Sequence, residues 1–172
     1  QETHYLVSKL MEQWKSKASS TLGSSSKKFR ERLKKRWEEQ FMPQSSISET
    51  WSQIEEELLK DEDEEGWVHT VCVRMINSLN SEERLDYADV EEGLNVIAIG
   101  GNKLSRGLTL EGLCISFFLR HTKMYDTLMQ MGRWFGYRHG YDDLVRVYTT
   151  ETLLAWFAWL VKVEKEVRSD IH

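Results

Sequence analysis

At Trp67 the hydrophobic period of this chain changes, and no other feature constrains the fold as much. Before it, apolar residues recur at helical spacing. Tyr5, Leu6, Leu10 and Trp14 mark a first helix that ends in ASSTLGSSS, a Ser/Gly-rich loop over residues 18–26. Phe29, Leu33, Trp37 and Phe41 fall four apart on one stripe and predict a second helix from Lys27 to Phe41, stopped by Pro43. Trp51, Ile54 and Leu58 predict a third, capped by Ser46 or Ser48 and ended by an acidic run and Gly66. From Trp67 onward the pattern is that of strands. WVHTVCVRMIN is β-branched and alternating, and NVIAIG, LCISFFL and LVRVY are short apolar runs. Such strands, separated by helical connections, imply an α/β fold with a mainly parallel sheet. The expected strands lie near residues 68–76, 95–100, 113–119 and 144–148 in one sheet, with helices over 124–134 and 150–168 packed on it. The last helix is expected to turn Leu153, Trp156, Phe157, Leu160 and Val167 toward the core. The organisation is a helical segment over residues 1–66 followed by an α/β core over 67–172.

Composition agrees with this reading. At 172 residues, with 40% hydrophobic and 11% aromatic side chains, the chain can bury a core and is not intrinsically disordered. No run approaches the roughly 18 apolar residues of a membrane span, and Gln1 to Lys9 do not form a signal peptide, so a cytoplasmic protein off the membrane is expected. Cys72 and Cys114 stand far apart in apolar surroundings and read as small buried hydrophobes. No CxxC or HxxxH spacing suggests a metal site. The net charge of −5 argues against a protein that coats nucleic acid indiscriminately, but the charge is unevenly spread. Residues 27–36, KKFRERLKKR, carry seven basic groups and one acid, whereas residues 55–65 carry eight acids and one lysine. The basic block reads as a solvated helix face, with nucleic-acid binding as the alternative. From Lys103 to Arg146 the chain is again locally basic, which suits an anion site.

Two segments carry the chemistry. In IAIGGNKLSRGLTLEG, residues 97–112, a buried strand ends at Gly100 and Gly101, where a side-chain-free backbone lets a ligand come close. Asn102, Lys103 and Arg106 follow at a strand end, the usual ligand position of α/β sheets. The segment is not a Walker A loop, since GxxxxGK[ST] occurs nowhere in the chain. In YDTLMQMGRWFGYRHGYDDL, residues 125–144, Leu128 and Met131 form a helical stripe with Met124 just before the segment, while Gln130 and Arg133 project elsewhere, and Arg138 follows in the next loop. Two guanidinium groups presented in this way suit phosphate oxygens; an arginine–carboxylate network with Asp126, Asp142 or Asp143 is the plain alternative.

Together these strings resemble motifs V and VI of superfamily-two helicases. Ser105-Arg106-Gly107-Leu108-Thr109 looks like the core of motif V, and Gln130-Met131-Gly132-Arg133 with Arg138 looks like that of motif VI. GGNKLSRGLTLEGL and YDTLMQMGRWFGYR are closer still to the hallmark strings of the bacterial Z1 (Z-one) domain, and NSLNSEERLDY resembles that family's approach to the same strand. The resemblance implies the second RecA-like lobe of a helicase-like ATPase associated with restriction-modification genes, sometimes labelled an endonuclease. Gly100, Gly101, Asn102, Lys103, Arg106, Gly107 and Thr109 would bind nucleotide or nucleic acid at motif V. Arg133 and Arg138 would be the arginine-finger candidates, with Gln130 beside them. The implied cofactors are ATP and Mg²⁺ in a full-length parent, and the implied partners are DNA and a missing first RecA-like lobe. A restriction endonuclease, a methyltransferase or a histidine-kinase-type ATPase subunit are further partners of that kind. Thr109 departs from the aspartate of many helicases, and the two arginines stand five apart where three is usual, so which one is the finger stays open.

The chain holds neither a P-loop nor a DExx-type acidic motif: GSSSKK lacks Gly-Lys-Ser/Thr, and DEDEEG lacks a preceding apolar strand. It therefore reads as one lobe of a longer protein, expected to be catalytically silent alone. Two other readings compete with a motor lobe. A metal-dependent nuclease needs an acid followed by E-x-K or D-x-K on a strand pair, and the nearest candidates, Glu164 and Lys165, lie in the terminal helix in a solvated pattern. His121 and His139 have no metal-ligand spacing and read as loop or core histidines. A non-catalytic interaction module is the third reading, using the helical first third, where Trp14, Trp37 and Trp51 otherwise serve as core.

Overall fold

The computed structural model describes residues 1–20, 23–43, 46, 48–59, 66–76, 93–101, 110, 112–119 and 139–171. The chain divides into two compact units, Gln1–Leu104 and Ser105–His172. In the first, helices α1 (Glu2–Ser19), α2 (Ser24–Gln40), α3 (Trp51–Leu59) and α4 (Trp67–Thr70) precede strands β1 (Cys72–Ile76) and β2 (Val96–Gly100). In the second, β3 (Ile115–Phe118), a 3-10 turn at Asp142–Leu144, and β4 (Arg146–Thr149) lead into helix α5 (Glu151–Ile171).

The core of the first unit forms where its helices converge, around Ala18, Phe29, Leu59 and Val68, with Leu33 and Leu58 packed against it. Trp14 meets Phe29 edge-on at 5.6 Å between ring centroids. On α2 the expected stripe holds, with Phe29 buried and Leu33, Trp37 and Phe41 half-buried. On α1 the expected helix forms, and its buried residues are Met11 and Ala18, while Tyr5, Leu6, Leu10 and Trp14 are 40–64% exposed. Ala18, small and fully buried, lets the following helix approach closely at the corner.

The corner between α1 and α2 is tied by hydrogen bonds. Gly23, at φ 132° and ψ 150°, takes a backbone conformation that a side chain would strain, and α2 starts immediately after it. The last carbonyls of a helix have no partner within it. Here α2 supplies them: Ser26 Oγ donates to the carbonyls of Lys17 and Ser20, and the Arg30 guanidinium donates to that of Ala18. Arg30 also pairs with Glu55 of α3 at 3.2 Å. α3 is capped by Thr50, not by Ser46 or Ser48. Gln53 Oε1 accepts from both the backbone N–H and the hydroxyl of Thr50, at 2.8 Å each, and this reach back from three residues on is one half of a capping box.

The strand expected over 68–76 begins only at Cys72. Trp67–Thr70 is a helical turn instead, because Val68 is drawn into the helical core and Thr70 Oγ1 donates to the Trp67 carbonyl. β1 and β2 run parallel in the register Cys72↔Val96 through Ile76↔Gly100. β3 and β4 also run parallel, from Ile115↔Arg146 to Phe118↔Thr149. The α/β class and the parallel sense agree with expectation. Among the described residues the strands are seen as two parallel pairs, β1–β2 in the first unit and β3–β4 in the second.

In the second unit α5 covers one face of its pair, with Leu153, Leu160 and Phe118 buried together and Phe157 beside them. The rings of Phe118 and Phe157 lie 6.2 Å apart. Trp156 and Val167, expected in the core, are 39% and 51% exposed. The face in contact runs through Leu153, Phe157 and Leu160; Trp156 lies on its flank, and Val167 stands two turns beyond Leu160 near the end of the helix. The helix expected over 124–134 lies outside the described residues.

Candidate functional site

β2 delivers the first residues of the candidate site to its C-terminal end. Gly100 pairs in register with Ile76 and is exposed, and Gly101 follows, also exposed. A Cβ built on Gly101 would meet nothing within 4 Å. Among the described residues no side chain demands a glycine there, and both glycines are exposed, which suits a backbone open to an approaching group. Asn102, Lys103, Arg106, Gly107 and Thr109 lie outside the described residues, as do Gln130, Arg133 and Arg138.

The plain alternative for the arginines is described only in part. Asp126 lies outside the described residues. Asp142 is exposed in the 3-10 turn, and the Asp143 carbonyl accepts a 2.6 Å hydrogen bond from the Arg146 guanidinium, which also donates to the Val145 carbonyl. Arg146 thus steadies the entry into β4. His139 is an exposed turn residue, and His121 is outside the described set. Glu164, weighed as a nuclease acid, accepts from Arg168 at 2.6 Å one helical turn on, a surface pair of the kind that holds a helix face. Cys72 and Cys114 are both half-buried, and Cys114 Sγ donates to the Gly112 carbonyl. No group of three or more His, Cys, Asp or Glu side chains among the described residues is placed to hold a metal ion. None of their helices is long and apolar enough to cross a membrane.

One residue escaped the sequence reading. Thr149 stands at the C-terminal end of β4 with its hydroxyl buried and without a hydrogen-bond partner among the described residues. Its neighbour Thr150 accounts for itself: the Oγ1 accepts from the N–H of Leu153 at 3.3 Å and the carbonyl accepts from the N–H of Leu154, which caps α5. The signal was the doubled threonine before the helix, since one cap needs only one hydroxyl. A buried orphan hydroxyl is costly, and this one sits at a strand end, where parallel sheets place ligands.

Comparison with known proteins gives one positive result. The family model described as the Z1 domain matches residues 1–172. No curated protein and no solved structure matches the chain.

Proposed function

The chain belongs to the Z1 domain family, and we propose that it is the C-terminal, RecA-like motor lobe of an ATP-dependent DNA translocase, a helicase-like subunit of a restriction-modification or DNA-defence system. The observation that carries the reading is the pair of strings around Arg106 and Arg133, which resemble motifs V and VI in the order a second motor lobe requires. The parallel strand pairs and the glycine pair at the exposed end of β2 are compatible with it.

In this reading the Gly100–Gly101 backbone, with Asn102, Lys103, Arg106, Gly107 and Thr109, links a nucleic-acid groove to the nucleotide cleft. The open space at Gly101 fits a backbone brought close to phosphate oxygens. Bound ATP with Mg²⁺ supplies the phosphoryl group for transfer to water, on a P-loop and acidic motif carried by a first lobe. Arg133 or Arg138 offers its guanidinium fork to the charge on the transferring group, and Gln130 holds the polar edge beside it. DNA and the first lobe are the direct partners; an endonuclease, a methyltransferase or a histidine-kinase-type ATPase would share the system.

The test uses the full-length protein with both lobes. Alanine at the operative arginine should lower DNA-stimulated ATP turnover by roughly 10³-fold or more with an unchanged melting temperature, and lysine should rescue poorly. Near-normal turnover in both Arg133→Ala and Arg138→Ala overturns the motor reading. A lowered melting temperature with proportionate loss of activity makes the arginines structural. The 172-residue chain alone is expected neither to release phosphate from ATP nor to nick plasmid DNA with Mg²⁺.

A further inference from the structure

Helix α2 carries its charge in an order that helix stability does not explain. The positive end of a helix macrodipole favours acids and the negative end favours bases. α2 has no acid in its first turn and no base in its last; Lys27 and Lys28 stand near its start, and Glu38 and Glu39 near its end. Its two surface pairs, Lys34–Glu38 at 3.8 Å and Lys35–Glu39 at 3.7 Å, also run in the weaker direction, with lysine N-terminal to glutamate. A face selected only for solubility would gain from the opposite arrangement.

The structure sorts the seven basic groups of residues 27–36. Arg30 is committed inward, to Glu55 and the Ala18 carbonyl. Lys34 and Lys35 are matched by glutamates; Lys27, exposed and likewise without an ion pair among the described residues, stands off the row on a groove of about 670 Å³ whose walls also carry Glu31 and Glu55. Lys28, Arg32 and Arg36 remain. All three are exposed and have no ion-pair partner among the described residues. Spaced by four, they form one row along the helix, about 12 Å from first to last at 1.5 Å per residue.

We infer that the Lys28–Arg32–Arg36 row is a docking face for the phosphate backbone of a nucleic acid. An anionic membrane fits less well. A membrane-surface helix needs large exposed apolar side chains beside its cations, and on α2 the neighbouring stripe of Phe29, Leu33 and Trp37, about 100° around the helix, is buried or half-buried within the protein. The row reads backbone and not sequence, since three cations on one straight face neutralise phosphates without entering a groove. The choice of nucleic acid as the polyanion rests on the proposed motor function; the row itself does not.

The experiment measures binding of the 172-residue chain, without ATP, to fluorescein-labelled single-stranded and duplex DNA and RNA of mixed sequence, by anisotropy across a salt series. The triple variant Lys28→Gln, Arg32→Gln, Arg36→Gln should weaken binding by about 10²-fold near 0.1 M salt. Its slope of log affinity against log salt should fall by roughly 2 to 3, at about 0.7 to 0.9 per lost contact. Lys34→Gln with Lys35→Gln should weaken binding far less. The charge-keeping triple Lys28→Arg, Arg32→Lys, Arg36→Lys should bind like the unaltered chain, and single Arg32→Gln supplies the reading if the neutral triple melts early. Unchanged affinity and slope in the neutral variants overturn the inference, and so does polyglutamate or an anionic vesicle bound as tightly as DNA. DNA-stimulated ATP turnover in the full-length protein, with unaltered binding by the triple variant, removes this face and leaves the motor reading standing. Loss of binding in the variant, with no turnover in the parent, does the reverse.

Discussion

β1–β2 and β3–β4 share one topology, two short parallel strands in register, and differ in how they are covered. Along β1 every residue is half-buried or buried, and β2 is half-buried up to Gly100. β3 instead alternates, with Ile115 at 52% and Phe117 at 75% exposed while Phe118 is 9% exposed. A parallel pair is normally sheltered on both sides. In the first unit both sides of the pair are at least half sheltered; in the second, α5 packs on Phe118 while Ile115 and Phe117 of β3 stay exposed, and β4 is half-buried except at Val147. Local sequence cannot tell these apart, because NVIAIG and LCISFFL are both continuous apolar runs. What a run of this kind records is the solvent each face would prefer, not the cover it has.

Neighbouring residues on β3 give the strongest test of that contrast. Phe118→Ala should cost about 3 to 5 kcal/mol in denaturant unfolding, as large-to-small changes in a packed core do, whereas Phe117→Ala should stay within about 0.5 kcal/mol. Equal costs would mean that the open face is covered in solution. On β1 the two faces should behave more alike. Ile76→Ala should cost about 2 to 5 kcal/mol and Met75→Ala roughly 1 kcal/mol, so a cost-free Met75 would make the first pair as one-sided as the second. A smaller effect is expected at the start of α3: Gln53→Ala, which removes the acceptor of both Thr50 bonds, should lose about 1 kcal/mol, read as a lower melting temperature. Smallest of all is Thr149→Val. Removing a buried hydroxyl that lacks a partner should leave stability unchanged or raise it by up to about 1 kcal/mol. A clear loss would show that the hydroxyl has a partner in solution.

Much of this architecture was legible in the residues, and the failures share a cause. The α2 stripe of Phe29, Leu33 and Trp37 and the strands ending at Gly100 and Thr149 follow from period, because a single buried face writes itself into the spacing. On α1 the spacing of Tyr5, Leu6, Leu10 and Trp14 gave the helix but not its buried residues, Met11 and Ala18, because a small side chain at the corner leaves no mark in hydrophobic period. Val68 misled because β-branched side chains suit strands and helical cores alike, and its neighbours decided between them. Ser46 and Ser48 were plausible caps by type, and Ser46 even stands three residues before Glu49, but the helix starts only at Trp51, where Gln53 reaches back to Thr50. Of the candidate site, Gly100 and Gly101 lie where strand period put them; the chemistry assigned to Arg133 and Arg138 rests on resemblance.

The Ser26 and Arg30 bonds to the end of α1 bear on how the first unit opens. A helix end normally frays independently of the helix that follows it, since its carbonyls only trade one partner for water. Here the final turn of α1 cannot loosen without releasing Ser26 and Arg30, and Arg30 in turn holds Glu55. The end of α1, the start of α2 and the middle of α3 should therefore exchange their amide hydrogens as one cooperative block, with a shared opening free energy. Ser26→Ala would divide that block, speeding exchange in the last turn of α1 and the first of α2 before the rest of either helix responds.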